Sequence, residues 1–154
     1  MKHARYFAVL LPLVLIACAG VQMATPQEDQ LGKRFDAPPP DKSALYLFRE
    51  GMMGAMVPLG VVVQTPGGAL DVALGSDTWV RIEGEAGPLE IRCAKDQSAG
   101  QRLDIRPGEV RYVEVSYRIA FGGNDCGVLE VSQLDGQRAV ARGKRAVAGV
   151  SPRQ

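Results

Sequence analysis

Between residues 44 and 134 the sequence is a succession of short apolar runs, most with a period of two, each cut off by glycine or proline. The first run, ALYLF at 44–48, is continuously apolar, as in a strand buried on both faces. Residues 59–64 follow, with the β-branched Val61, Val62 and Val63. Then Leu70, Val72 and Leu74 alternate with Asp71 and Ala73, and Leu89, Ile91 and Cys93 alternate with Glu90 and Arg92. Between these two runs, Thr78, Val80 and Ile82 alternate with Trp79, Arg81 and Glu83. Leu103 and Ile105 form another run, Val113, Val115 and Tyr117 the next, and Leu129 and Val131 the last, with Leu134 after them. The gaps hold Pro66-Gly67-Gly68, Gly75-Ser76-Asp77, residues 84–88, Ser98-Ala99-Gly100, Pro107-Gly108, residues 122–125 and Asp135-Gly136. Glycine there supplies positive φ and proline presets the first corner of a turn. Turns about every 8–12 residues leave no room for crossover helices, so the expected fold is all-β. It is a small antiparallel β-sandwich of about seven to eight short strands over residues 44–136.

The 154 residues suffice for one domain. Ahead of the strands stands a different kind of segment. Lys2, His3 and Arg5 precede eleven apolar residues, 7–17, broken only by Pro12. A membrane-spanning helix needs about 20 such residues and a secretory h-region about 7–15, so residues 1–17 read as a signal peptide. The run ends in Leu15-Ile16-Ala17-Cys18, and here the sequence resembles the lipobox of bacterial lipoproteins. The resemblance implies cleavage before Cys18, a diacylglyceryl group on its thiol and acylation of the new amino terminus. Ala19 and Gly20, with no aspartate after the cysteine, imply the outer membrane rather than the inner. The lipid-bearing end and residues 19–43 are expected to form a tether, since they are polar, carry Pro38-Pro39-Pro40 and show no helical period. A flexible chain of that length reaches about 25–30 Å.

Cleavage would remove Lys2 and Arg5 from 18 basic residues and none of the 17 acidic ones, turning the formal charge from +1 to −1. No field of that size points to nucleic acid. It would also remove His3, the only histidine, so the mature chain cannot build a Ser-His or Cys-His pair. Ser-x-x-Lys, Gly-x-x-x-x-Gly-Lys and Gly-x-Gly-x-x-Gly are all absent. No catalytic residue and no cofactor is expected.

The run from residue 44 is similar to the small all-β domain of uncharacterised bacterial envelope lipoproteins, and to PEGA-type sandwiches. The carrying motifs are Leu45-Tyr46-Leu47-Phe48-Arg49, Gly75-Ser76-Asp77-Thr78-Trp79, Gly87-Pro88-Leu89-Glu90-Ile91 and residues 107–113. Where those domains read Pro-Gly-x-His, this chain has Gly87-Pro88-Leu89 and no histidine. The resemblance implies a sandwich and no activity.

Four features bear on function. Cys93 and Cys126, in an oxidising compartment, are expected to form a disulfide. Met52, Met53 and Met56 lie between the first two strands, and three readings are open: a Cu(I) site, an apolar contact surface, or loop packing. Trp79 falls on the polar side of its strand, where it is either an exposed interface anchor or is covered by the tether or the C-terminal segment. Residues 137–154 form a basic C-terminal segment with a weak, glycine-broken helical pattern, suited to anionic lipid or merely solvated. The expected function is that of a non-enzymatic, lipid-anchored envelope protein, an accessory or interaction module in the periplasm. Its partners are the membrane and another envelope protein. The alternative is a lipoprotein that binds copper or a small ligand through residues 52–56.

Overall fold

The computed structural model describes residues 21–95, 100–120 and 123–148. Cys18 and the signal-peptide reading therefore lie outside the described residues. The chain runs α1 (Pro26–Gly32), β1 (Lys42–Arg49), β2 (Leu59–Thr65), β3 (Gly68–Leu74), β4 (Thr78–Glu85), β5 (Gly87–Cys93), β6 (Gly100–Ile105), β7 (Val110–Ala120), β8 (Gly123–Val131), α2 (Gln133–Arg142) and β9 (Lys144–Arg145). The fold is an all-β sandwich: a five-stranded sheet β8-β7-β1-β4-β9 packs on a four-stranded sheet β3-β2-β5-β6.

Each predicted run coincides with a strand, and in all but the last its apolar face points into the space between the sheets; in the last, Leu129 is exposed and Val131 packs on the outer side. Leu45, Leu47, Val80, Ile82, Val113 and Val115 enter from one sheet. Val61, Val63, Val72, Leu74, Ile91 and Ile105 enter from the other. Most pairings are antiparallel, but β1 pairs with β7 and β4 with β9 in parallel. Alternation of side chains says which face a residue takes and nothing about strand direction. The chain crosses from sheet to sheet at both ends, so β1 and β7 reach the five-stranded sheet running the same way.

The continuous apolar run at 44–48 does bury both faces. Leu45 and Leu47 point into the sandwich, while Tyr46 and Phe48 enter a second cluster with Trp79, Tyr112, Ala139 and Val140 on the outer side. That outer layer corrects two expectations. The tether at 19–43 is not helix-free: Thr25 caps α1, accepting from the Glu28 amide, while the Glu28 carboxylate accepts from the Thr25 amide at 2.8 Å. Pro26 occupies the first turn, where its missing N–H costs nothing. Phe35, just beyond, packs on Tyr46 and Tyr112 at ring separations of 5.8 and 6.5 Å. Nor does the sandwich stop at 136. Ser132 caps α2, whose Ala139 and Val140 are buried, and β9 extends the sheet beside β4. Leu134 belongs to α2 rather than to a strand.

Candidate functional site

Arg49, the last residue of β1, is 1% exposed although it is charged. Its guanidinium faces four backbone carbonyls. One terminal nitrogen donates to Val57 (2.7 Å) and Leu74 (3.3 Å), the other to Met53 and Gly54 (2.8 Å each). Loss of water pulls its pKa below the usual arginine value, and the charge of Asp77 opposes that. A buried cation tolerates this only because its donors are filled. The effect is to pin the backbone of residues 50–58 to the sandwich.

Further contacts hold the same loop. Gly54 has φ +66° and lies so close to the Tyr117 ring that a Cβ there would come within 2.8 Å of it. The Gly51 amide donates to Asp77 at 3.0 Å, and the Ser76 hydroxyl donates to the Gly51 carbonyl at 2.6 Å. The loop backbone is fixed, yet its methionines turn outward: Met52 is 81% exposed, Met53 61% and Met56 94%. Val57 is also partly open, and Ile119, on the part of β7 that runs past the end of β1, is exposed too. Of the three readings of these methionines, loop packing is therefore excluded. All three side chains are open to water. Among the described residues no group of histidine, cysteine, aspartate or glutamate could hold a metal.

Cys93 and Cys126 are bonded, with Cα atoms 5.9 Å apart. Cys93 ends β5 in one sheet and Cys126 lies in β8 of the other, so the bond ties the two sheets at the same end as the methionine loop. Next to the loop lies an open cleft of about 770 Å³, lined in part by Glu50, Asp77, Arg142 and Lys144. Its carboxylates already have partners: Glu50 takes Arg142 and Asp77 takes Gly51. Its polar groups fasten loops together.

Trp79 is not an exposed anchor. It is 0% exposed, with Gly32 and Gly143 against its ring and the Arg145 guanidinium 5.6 Å from the ring centroid. The tether and the C-terminal segment cover it together, so it leaves the candidate surface. Sequence reasoning missed the roles of Arg49 and Ile119. An arginine closing an apolar strand just before a glycine-rich loop was the available signal for the first; Ile119 gave none, because an isoleucine in a strand reads as core.

No protein-family model, curated protein or solved structure matches the chain.

Proposed function

We propose that the chain is a non-enzymatic, lipid-anchored cell-envelope protein that works as an accessory or interaction module in the periplasm. In this reading Cys18 carries the lipid, the outer membrane is its site, and the Cys93–Cys126 bond braces the domain in an oxidising compartment. One observation carries it: three methionines stand 61–94% exposed on a loop whose backbone a buried arginine holds still. Exposed apolar groups that local packing does not need mark a contact surface, and flexible thioethers adapt to varied partners. The copper reading has no comparable support.

The test is mass spectrometry of the protein from its own cells, before and after crosslinking. A diacylglyceryl group on Cys18 and reproducible adducts at residues 52–56 are expected. An unmodified Cys18 in a chain beginning at Met1 overturns the anchor; adducts spread evenly over the surface overturn the contact site.

A further inference from the structure

We infer that the end of the sandwich bearing Met52, Met53 and Met56 docks on the lipid bilayer itself, so that the domain lies on the membrane instead of hanging from it. This rests on the Cys18 anchor proposed above. The first argument is reach. The fold begins almost at the anchor: Val21 packs against the core, the Val147 amide donates to Gln22 and the Ala24 amide to Arg145. Only Ala19 and Gly20 stand between Cys18 and Val21, and the three steps from one to the other span at most about 11 Å. A domain of this size has a radius of gyration of about 14 Å. The anchor is thus shorter than the body it holds, and whichever face surrounds Val21 must meet the headgroups.

The second argument is which face that is. An added Cβ on Gly75 would lie 3.6 Å from Val21. Ser76 and Asp77, the next two residues, bond to Gly51, and Met52 follows. A continuous path of contacts thus leads from the exit of the anchor to the methionine loop. All four described methionines lie along it, since Met23 shares the cleft with Glu50 and Asp77.

The third argument is chemistry. Met23, Met52, Met53, Met56, Val57 and Ile119 are exposed apolar side chains. Lys95 and Lys144 lie at the same end, are exposed, and make no ion pair among the described residues. Apolar groups that enter the acyl boundary beneath lysines that meet anionic headgroups are what a surface-lying protein needs. They would add a second membrane signal to the lipid.

The test uses full-length protein made with a diazirine analogue of methionine, reconstituted into phosphatidylethanolamine–phosphatidylglycerol vesicles and irradiated. A Glu85→Met variant puts a reporter at the other end of β4, about 23 Å from Thr78 at the strand spacing. Lipid adducts several-fold more abundant on the peptide with Met52, Met53 and Met56 than at position 85 are expected. Acylated Cys18 with equal or no adducts at the loop overturns the docking and spares the anchor. Adducts from loop to loop assign the surface to a second copy and also overturn it. Loop–lipid adducts with an unmodified Cys18 uphold docking and overturn the anchor, whereas an unmodified Cys18 without them overturns both.

Discussion

Gly32, the last residue of α1, rests directly on the six-membered ring of Trp79, and a methyl group at Gly32 would overlap the ring carbons. The contact joins the segment ahead of the sandwich to its outer face. Gly32→Ala therefore forces either the helix or the indole to move. Overpacking of this kind costs about 1–3 kcal/mol. The urea midpoint should fall with an unchanged slope, and the emission of the single tryptophan should shift to the red as water reaches it. Gly84→Ala is the control: nothing lies near its Cβ position, and stability should stay within about 0.5 kcal/mol of the parent.

Arg49 gives the second prediction. Arg49→Met keeps a long apolar stem but leaves carbonyls of Val57, Leu74, Met53 and Gly54 without their donor. Stripping a charged donor from acceptors that are buried at Leu74 and part-buried at the other three costs about 1.5–3 kcal/mol. Hydrogen exchange should rise in residues 50–58 well before the strands respond. Arg49→Lys should rescue little, since one ammonium cannot reproduce the spread of a guanidinium over four acceptors. A loop that stayed protected in both variants would show that Gly54 against Tyr117 suffices to hold it.

The disulfide gives the third. Cys93 and Cys126 are 33 residues apart, a loop whose closure in the unfolded chain is worth about 3–4 kcal/mol. Both residues are buried, so Cys93→Ala with Cys126→Ala also loses packing. The double variant should unfold at a lower temperature by at least that equivalent and keep its β-rich circular dichroism, because the inter-sheet core does not depend on the bond. Unfolding at ambient temperature would make the bond a condition of folding.

What the sequence made legible follows one physical line. Inward-facing residues such as Val61, Val72, Ile91 and Val113 carry the signal themselves, so strands and the main core were readable. The cover on the outer face is written differently. Gly32, Gly136, Ala139 and Gly143 admit close contact by having almost no side chain, and so leave no apolar trace. Trp79 accordingly seemed to share a polar face with Arg81 and Glu83. The capping signature Thr25-Pro26-Gln27-Glu28 was in plain view, but a helix of seven residues, about two turns, is too short to show a period. As for the site, three methionines in a loop read alike from sequence whether packed, ligating or exposed, and only their exposure in the structure rules out packing.

The outer aromatic layer gives the last prediction, in alkaline pH. Tyr46 and Tyr112 stack at 5.1 Å and are almost wholly buried, and the Tyr46 hydroxyl donates to the Gly32 carbonyl at 2.8 Å. Loss of water on burial raises both phenol pKa values above 10, with Arg81 pulling the other way at each and Gln137 also at Tyr112. The folded state thus holds two protons that the unfolded state releases near pH 10. More protons bound in the folded state means that stability falls as pH rises. Their contribution is complete below pH 10 and erodes from there up to the raised folded values. Tyr46→Phe with Tyr112→Phe removes both groups. That variant should lose about 1 kcal/mol at neutral pH for the bond to Gly32 and be less sensitive than the parent above pH 10. Urea midpoints measured for both proteins across that range decide it: parallel decline would place the alkaline loss outside these two tyrosines.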